Sequence, residues 1–322
     1  MQEINWGIIG CGDVTELKSG PAFNKVANSK LVAVMRRNSA KAKDYAERHQ
    51  VKKWYDNAQQ LIDDPEVNAI YIATPPASHA TYALAAIAAK KPVYVEKPMA
   101  LNYEESLQMN LAAIENQVKL TVAHYRRAQP MFLKIKSLLD ENSIGDIRFV
   151  QLQLFQSPNN TLIANSEENW RIIPALSGGG LFHDLAPHQL DLMLYFFGKV
   201  KSSSGFSVNQ TKSSAADDIV TGQVLFENGI LFNGTWCFSV APENTIDSCE
   251  IFGSTGKISF AVFGHQVKLT INGQTQLLDF EPLLHVQQPM IAKVVNYFLD
   301  RGPNPCNGTT AAATMKLIDS FS

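Results

Sequence analysis

The first 123 residues alternate short apolar runs with stretches of helical periodicity, and this alternation limits the fold more than any other feature. The apolar runs lie at 4–9, 31–35, 69–73, 92–95 and 120–123, with a weaker run near Trp54. Amphipathic stretches lie between them at 39–49, 78–89 and 102–116. Strands that alternate with helices form right-handed βαβ units around a parallel sheet. We therefore predict an α/β domain with a doubly wound parallel sheet over residues 1–123.

The remaining residues, 124–322, have a different pattern. A helix is predicted at 130–141, and strand-like runs follow at 147–156, 204–209, 219–226, 230–238, 248–253, 257–263, 267–271 and 276–280. Turns such as Asn228-Gly229 and Asn272-Gly273 are typical of hairpins. Two helices, at 286–300 and 309–320, follow the last predicted strand. This order predicts a second domain built on a predominantly antiparallel sheet.

The composition excludes several classes of function. The chain has 322 residues, of which 45% are hydrophobic and 18% charged, and its net charge is -2. This is a globular composition without a basic stripe, so we expect no nucleic-acid partner. No apolar run is long enough for a membrane span and the N-terminus lacks the charged start of a signal peptide, so we expect a cytoplasmic protein. The four cysteines are scattered without a Cys-x-x-Cys pair, which argues against a metal site and a disulfide framework.

A glycine pair follows the first predicted strand, in the segment Gly10-Cys11-Gly12-Asp13-Val14-Thr15. Gly10 permits a tight turn, and Gly12 lets the backbone approach a pyrophosphate at the start of a helix. Thr15 stands where the dinucleotide-binding fingerprint has Gly or Ala, so we expect slightly looser packing of helix on strand. Such a pair is often only a turn, but its place at the start of an alternating pattern favours dinucleotide binding.

Two arginines, Arg36 and Arg37, follow the second predicted strand, where an NAD-specific site carries Asp or Glu to bond the ribose 2′-hydroxyl. Guanidinium groups suit the 2′-phosphate of NADP, since they form charge-assisted hydrogen bonds with phosphate. The alternative is that both arginines are solvated loop residues. We expect NADP as the preferred cofactor and NAD as the alternative.

The ends of two further strands supply candidates at the same edge of the predicted sheet. Thr74 and Pro75 form a rigid turn after the fourth strand, and Ser78 is a candidate N-cap of the next helix. His79 is a candidate cofactor contact, although its chemistry alone favours a surface position at a helix end. Lys97, in Glu96-Lys97-Pro98, follows the fifth strand, and this edge is where open α/β sheets bind ligands. An ammonium beside a bound nicotinamide indicates redox chemistry of carbonyls and alcohols.

A glycine run at 178–180 precedes the last group of candidates. If a helix follows, Asp184 and His188 lie one turn apart on the same face. A carboxylate next to an imidazole suits proton transfer, and the alternative is a buried structural pair. Pro187 is expected to distort this helix or to lie in its first turn. His183 and His188 diverge around a helix, which argues against a metal site.

Together these segments resemble the glucose–fructose oxidoreductase/myo-inositol dehydrogenase family (Gfo/Idh/MocA) over essentially the whole chain. The similarity rests on the Gly-x-Gly turn, Ala73-Thr74-Pro75-Pro76-Ala77-Ser78-His79, Val95-Glu96-Lys97-Pro98, Trp170-Arg171, Gly178-Gly179-Gly180 and Asp184-x-x-x-His188-x-x-Asp191. The resemblance implies a Rossmann domain and a C-terminal α/β domain with a large open sheet. It also implies NAD(P)-dependent oxidation or reduction of sugars, cyclitols or related diols, and a homodimer or homotetramer.

The resemblance also implies site residues. The catalytic set is Lys97, Asp184 and His188: His188 is expected to transfer a proton and Lys97 to stabilise an alkoxide, and these two roles are exchangeable. The cofactor-binding set is Gly10, Gly12, Asp13, Val14, Arg36, Arg37, Thr74, Pro75, His79, Glu96 and Lys97. The substrate-binding candidates are Arg126, Trp170 and Arg171, with Arg127 in a segment that also borders the family's pocket.

Two other functions occur among relatives of this kind. One is an NAD-dependent glycosidase, which oxidises its substrate transiently and needs no added cofactor. The other is a regulator that senses dinucleotides and has lost its catalytic residues. The presence of all three catalytic candidates favours a dehydrogenase or reductase.

Overall fold

The computed structural model of the protein describes residues 2–158, 162 and 169–322. The chain forms two compact units: the first consists of Met1–Ala128 and Leu283–Met315, and the second of Gln129–Pro282 and Lys316–Ser322. The sequence assigned all of 124–322 to the second domain, whereas Leu283–Met315 packs with the first unit. A domain boundary near residue 123 stays a prediction.

The first unit is built on a six-stranded parallel sheet with the strand order β3-β2-β1-β4-β5-β6. This confirms the predicted doubly wound fold, because the strand order reverses direction between β1 and β4. The strands are β1 (Ile4–Ile9), β2 (Ser29–Met35), β3 (Lys53–Tyr55), β4 (Ala69–Ile72), β5 (Val93–Val95) and β6 (Leu120–Val122).

Helices connect the strands of both units, and several of them begin within one or two residues of the predicted positions. They are α1 (Asp13–Leu17), α2 (Gly20–Phe23), α3 (Ser39–Arg48), α4 (Ala58–Asp63), α5 (His79–Ala88), α6 (Tyr103–Glu115), α7 (Pro130–Asp140), α8 (Pro174–Ser177), α9 (Leu181–Phe197), α10 (Gln288–Phe298) and α11 (Gly308–Asp319). Among the described residues, no helix combines the length and apolar character needed to span a bilayer.

Aromatic side chains fill the core of the first unit beside the parallel sheet. The Trp6 ring lies 4.8 Å from the Phe23 ring and 5.6 Å from that of Phe298 in α10. The Tyr71 and Tyr94 rings stack with centroids 5.1 Å apart. The contact between Trp6 and Phe298 explains why α10 belongs to this unit, since large aromatic rings contribute much of the buried apolar area of a core.

The second unit is built on an eight-stranded sheet with the order β14-β13-β12-β11-β7-β10-β9-β8. Its strands are β7 (Ile147–Phe155), β8 (Val200–Val208), β9 (Ile219–Phe226), β10 (Leu231–Cys237), β11 (Ile246–Gly253), β12 (Gly256–Phe260), β13 (Gln266–Ile271) and β14 (Gln274–Asp279). Only β7 and β10 pair in parallel among the described strands of this sheet, so the prediction of a predominantly antiparallel sheet is confirmed.

The long helix α9 carries two of the predicted catalytic residues and is fixed to this sheet by a buried tryptophan. The Trp236 indole in β10 donates a hydrogen bond of 2.8 Å to Oε1 of Gln189, and its ring lies 5.1 Å from that of Phe182. Pro187 lies inside α9 and beyond its first turn, which corrects one of the two expected positions. Its ring removes a backbone donor from the helix without ending it.

Candidate active site

Three loops meet at the carboxyl edge of the parallel sheet, because β1, β4 and β5 are neighbours in it. The backbone shows this directly: Ala73 N donates to Ile9 O and Glu96 N donates to Ile72 O, both over 2.9 Å. The loops carry the glycine turn, the Thr74-Pro75 turn and the Glu96-Lys97 pair. Candidates that are far apart in the sequence therefore lie along one edge, as ligand sites of open α/β sheets do.

The glycine turn after β1 has the shape that a dinucleotide-binding turn requires. Gly10 has φ +95°, and a Cβ there would lie 2.7 Å from the backbone nitrogen of Thr74, so only glycine fits. A Cβ on Gly12 would meet no atom within 4 Å, which leaves open space beside the turn. Asp13 and Val14 form the first turn of α1, where Asp13 is exposed and Val14 half-buried. This open space and the turn fit a pyrophosphate.

Thr15 closes the same turn. Its Oγ1 accepts a hydrogen bond of 2.9 Å from Gly12 N and donates one of 2.8 Å to Gly12 O, and the residue is fully buried. The hydroxyl thus forms hydrogen bonds within the turn, and the expected looser packing of helix on strand stays a prediction. Between the two glycines, burial raises the pKa of Cys11 to about 12, so its thiol stays protonated.

The two arginines after β2 differ in their surroundings. Arg36 is half-buried, and its Nη1 donates to Cys11 O over 3.4 Å, which brings its guanidinium to the glycine turn. Arg37 is exposed in the loop before α3. That loop carries no carboxylate before α3, whose N-cap is Asn38. A cationic group beside the glycine turn fits a phosphate of the cofactor.

His79 lies beneath these loops and is fully buried, so the alternative of a surface position is wrong. Its Nδ1 lies 2.9 Å from Pro98 O and its Nε2 lies 2.7 Å from Thr74 O. The imidazole thus links the loop after β4 to the loop after β5. Burial lowers the pKa of His79, whereas its contacts with backbone carbonyl groups act in the opposite direction.

Ser78 occupies the N-cap position of α5 but does not cap the helix with its side chain. Its hydroxyl lies instead 2.8 Å from Oγ1 of Thr74 and 3.1 Å from Pro75 O. These contacts stabilise the Thr74-Pro75 turn itself. The N-cap prediction was therefore right in position and wrong in the hydrogen bond.

Glu96 points into the core, and two side chains that the sequence did not indicate hold it there. Its Oε1 accepts hydrogen bonds of 2.5 Å from the Tyr71 hydroxyl and from Nε2 of Gln287. Its Oε2 accepts the backbone N–H of Lys97 over 3.2 Å. Lys97 itself is half-buried at the end of β5. Neither Tyr71 nor Gln287 belongs to a motif, so no local sequence signal could have identified them.

Arg126 lies in a 3₁₀ turn, Tyr125–Ala128, soon after β6. The residue is buried, and its guanidinium carbon lies 5.7 Å from the centroid of the Tyr125 ring. It therefore belongs to the first unit, at the next strand end beyond Lys97.

In the second unit the structure brings together Asp184, Arg171 and Trp170. Nε of Arg171 donates a hydrogen bond of 2.9 Å to Oδ2 of Asp184, and both side chains are buried. The guanidinium carbon of Arg171 lies 4.5 Å from the centroid of the Trp170 ring, a cation–π distance. The sequence paired Asp184 with His188 or with a neighbouring substrate hydroxyl; the contact with Arg171, thirteen residues earlier in the chain, was not predicted.

His188 lies one turn after Asp184 on α9 and is buried. Its ring is perpendicular to that of Phe263, with centroids 5.6 Å apart and an interplanar angle of 87°. The turn that carries Phe263 is held by Asp247, whose carboxylate accepts Val262 N over 3.0 Å and Phe263 N over 2.7 Å. Phe263 and Asp247 are further residues that the sequence did not single out.

His183, the other histidine of this helix, packs against the glycine run. A Cβ on Gly179 would lie 2.1 Å from its Cε1, so glycine is needed there. Burial lowers the pKa of His183 to about 4, and the imidazole is therefore neutral near pH 7.

Comparison with known proteins assigns both units to one family. Residues 4–124 match a family model described as "Oxidoreductase family, NAD-binding Rossmann fold". Residues 132–259 match a model described as "GFO/IDH/MocA C-terminal domain". The chain is 50% identical to Oxidoreductase P35 of Formosa agariphila over 99% of its own length and 98% of that protein.

More distant proteins are similar in sequence or in fold. The chain is 26% identical to trans-1,2-dihydrobenzene-1,2-diol dehydrogenase of Mus musculus, over 91% of its length and 83% of that protein. A levoglucosan dehydrogenase solved with NADH and levoglucosan superposes with a TM-score of 0.85 at 21% identity, covering 99% of this chain and 96% of that one. An aldose-aldose oxidoreductase from Caulobacter crescentus gives 0.85 at 21% identity, covering 98% and 96%. The chain belongs to the Gfo/Idh/MocA family of oxidoreductases with an NAD-binding Rossmann fold.

Proposed function

We propose that this oxidoreductase transfers hydride between NADP, or less favourably NAD, and a CH–OH or carbonyl carbon of a sugar, cyclitol or related diol. The observation that carries the proposal is Lys97, an ammonium-bearing residue at the carboxyl end of β5, in the sheet whose β1 and β4 ends carry the dinucleotide-type turns. The names of two relatives, levoglucosan dehydrogenase and trans-1,2-dihydrobenzene-1,2-diol dehydrogenase, support an alcohol of this class.

The cofactor-binding residues follow from the loops at this edge. Gly10 and Gly12, with Asp13 and Val14, would hold the pyrophosphate, and Arg36 and Arg37 would hold the 2′-phosphate of NADP. Thr74, Pro75, Glu96 and Lys97 would border the nicotinamide side, and His79 would act by holding the Thr74 loop. When bound, the nicotinamide supplies the hydride acceptor or donor at its C4, and the protein supplies orientation and proton transfer.

Lys97 would stabilise negative charge on the substrate oxygen. Oxidation of an alcohol removes hydride from carbon and a proton from the hydroxyl, so the oxygen carries alkoxide character in the transition state. A fixed ammonium lowers the energy of that state more than the energy of the neutral alcohol. In the reverse direction the same charge polarises the carbonyl.

His188 would accept the hydroxyl proton during oxidation and return it during reduction. Asp184, already paired with Arg171, would orient His188 or accept a hydrogen bond from a neighbouring substrate hydroxyl. Arg126 and Arg171 would contact the substrate, because guanidinium groups donate several hydrogen bonds to hydroxyl oxygens. Trp170, whose ring packs against the Arg171 guanidinium, would contact it as well. An exchange of roles between Lys97 and His188 is the alternative, and pH–rate profiles of the two variants distinguish them.

The test is a panel of sugars, inositols, 1,2-diols and dicarbonyls, scored by the absorbance change of added NADPH or NADH. We expect turnover with at least one compound. Lys97→Ala should lower kcat by about 10²–10³, the loss typical of removing one preorganised donor, while dinucleotide affinity changes only a few-fold. Turnover of Lys97→Ala close to that of wild type would contradict the mechanism.

The same panel separates the two other functions. Cleavage of a glycoside with no net change in NAD(P)H, by protein that retains its cofactor through purification, would indicate the glycosidase. Dinucleotide binding without any turnover would indicate a regulator.

A further inference from the structure

The carboxylate of Glu96 is buried directly before Lys97. Glu96 is 5% exposed, and the groups that contact its oxygens are donors: the Tyr71 hydroxyl, Nε2 of Gln287 and the N–H of Lys97. Burial and the nearby carboxylate raise the pKa of Tyr71 well above its usual value, so its hydroxyl keeps its proton. The two oxygens of Glu96 together accept all three of these hydrogen bonds.

The orientation of the Gln287 amide is fixed by a second tyrosine. The Tyr94 hydroxyl donates to Oε1 of Gln287 over 3.1 Å, which turns Nε2 towards Glu96. Gln287 is 1% exposed, so water does not replace either contact. The amide is therefore oriented so that its N–H group donates a hydrogen bond to the Glu96 carboxylate.

The segment that carries Gln287 is also fixed to α1, the helix that begins at the glycine turn. Gln287 N donates to Lys18 O over 3.2 Å, and Nδ1 of His285 lies 2.7 Å from Leu17 O. Nζ of Lys25 lies 2.8 Å from Nε2 of His285, so Nε2 accepts and Nδ1 is the donor. One segment, 285–287, thus contacts both the end of α1 and the residue before Lys97.

We propose that Gln287 is a positioning residue for Lys97, acting through Glu96. The amide holds the Glu96 carboxylate, the carboxylate holds the Lys97 N–H, and together they set the direction in which the Lys97 side chain leaves the backbone. The proposal rests on the proposed function, because only that function makes Lys97 a catalytic residue. It gives Gln287, which lies outside every sequence motif, a part in the reaction.

Removing the amide should displace Lys97 without affecting the glycine turn. A buried carboxylate that loses a donor is costly, so we expect it to move towards another donor, and the backbone of Lys97 moves with it. Gln287→Met keeps the length of the side chain and removes the amide. Tyr71→Phe removes the other donor to the same oxygen and serves as a second, independent variant.

Lys119→Met is the matched control. Nζ of Lys119 donates to Tyr297 O over 3.0 Å and to Phe298 O over 2.9 Å, at the opposite end of α10 from Gln287. This change loosens the same helix without touching Glu96. A merely structural role for Gln287 would make the control and Gln287→Met behave alike.

Two measurements on the full-length protein decide the proposal. With a substrate from the panel, kcat of Gln287→Met and of Tyr71→Phe should fall about 10- to 100-fold, as expected when one preorganised contact is partly lost. The affinity for NADPH, measured by fluorescence, should stay within about threefold of the wild-type value, because the glycine turn is unaffected. Without substrate, reductive methylation with ¹³C-formaldehyde gives a Lys97 resonance, assigned by its absence in Lys97→Arg. That resonance should shift in both variants and stay in place in Lys119→Met.

The two measurements keep the proposal separate from the proposed function. If wild type turns over nothing on the panel, the function has failed, and the Lys97 resonance still tests the positioning. A resonance that is unchanged in Gln287→Met and Tyr71→Phe overturns the positioning. So does an equal shift, or an equal loss of kcat, in Lys119→Met.

Discussion

Buried polar side chains fix the backbone on both sides of Lys97. Before it, the Glu96 carboxylate is held by Tyr71 and Gln287; after it, Pro98 O is held by His79. A catalytic group on a fixed backbone loses little further freedom when it meets developing charge, which is the physical basis of preorganisation. In the proposed mechanism, Glu96 and His79 would therefore contribute to the site although both side chains are buried.

In the proposed mechanism, the proton-transfer role falls to His188. We expect His188→Asn to lower kcat by roughly 10²–10⁴, the range typical of general acid–base catalysis. It should also flatten one limb of the pH–rate profile, because asparagine does not titrate. The measurement is kcat against pH for wild type and variant. An unchanged profile would move the proton-transfer role to Lys97 or to water.

Cofactor choice should depend on Arg36, whose guanidinium lies at the glycine turn. Charge-assisted hydrogen bonds contribute about 1.5–3 kcal/mol each, so loss of one contact weakens NADP binding by roughly 10- to 100-fold. Arg36→Asp should lose more, because it adds repulsion of the phosphate, and should improve NAD in relative terms. Arg37→Asp, at the exposed neighbour, is the matched comparison.

The ratio of kcat/KM for NADPH and NADH decides the role of Arg36. Wild type should prefer NADPH, and Arg36→Asp should reverse or abolish that preference, with a smaller change in Arg37→Asp. A wild-type preference for NADH, or a ratio that Arg36→Asp leaves unchanged, would show that another group contacts the ribose.

Single residues also show where prediction from sequence ends. The positions of Lys97 and the glycine turn follow from strand ends and local motifs, which are short-range signals. The partners of Asp184 and Glu96 do not, since Arg171 and Gln287 come from distant parts of the chain. The chemistry of His79 alone favoured a surface position, because a lone imidazole at a helix end is polar; two backbone carbonyl groups within hydrogen-bond distance make its burial possible.

At the scale of elements, a turn after β12 places Phe263 against His188. Asp247 lies on β11 opposite Leu154, which is fully buried, so both side chains lie on the core face of the sheet. Its carboxylate accepts the N–H groups of Val262 and Phe263. A carboxylate suits two donors because it carries acceptors only.

Asp247→Asn should therefore loosen this turn. The amide can accept one N–H and presents its own donor to the other, which should cost about 1–3 kcal/mol of unfolding free energy. Because Phe263 moves with the turn, kcat should also fall several-fold. Denaturant unfolding and turnover of the same variant measure the two effects.

Asp218→Asn is the control for that experiment. Asp218 accepts Gln210 N and Thr211 N, each over 2.9 Å, and so holds a different turn in the same way. It should lose similar stability and keep its kcat. If both variants lose activity alike, the effect comes from general destabilisation and Phe263 has no separate influence on His188.

The elements themselves were largely predictable, and the exceptions have physical causes. The helices α2, α4 and α8 were missed because each is too short to show helical periodicity. Strand β8 begins four residues before the predicted start, because the serines at 202–204 hide the alternation that the burial of the strand shows. The paired register of the eight-stranded sheet was not predictable, since it depends on contacts between distant strands.

At the scale of the whole molecule, the division of the chain depends on contacts that join its ends. Phe298 packs on Trp6, and Asn307 forms a β-bridge with Thr121, so residues near the C-terminus belong to the first unit. The sequence assigned them by position along the chain, which carries no information about such long-range packing. The same return of the chain brings Gln287 to Glu96.

The eight-stranded sheet has one face on which large apolar side chains are exposed. Phe206 is 78% exposed and Leu231 49% exposed. Phe206 lies opposite Thr221, and Thr221 lies opposite Thr235, so the three side chains share a face. Leu231 lies on that face too, because it is four positions before Thr235 in β10. Exposed large apolar residues on one face are typical of an interaction surface. We therefore expect this face to join copies of the chain as a dimer or tetramer.

Replacing both apolar residues with charge should separate the copies. In the double variant Phe206→Glu/Leu231→Glu, each interface would bury like charges against one another. The mass measured by sedimentation velocity should therefore fall towards that of the monomer. Ile114→Glu is the control, because Ile114 is 61% exposed on α6 in the first unit. It should leave the mass unchanged. A wild-type monomer, or a double variant with the mass of wild type, would contradict the assignment of this face; an equal loss in Ile114→Glu would place the interface elsewhere.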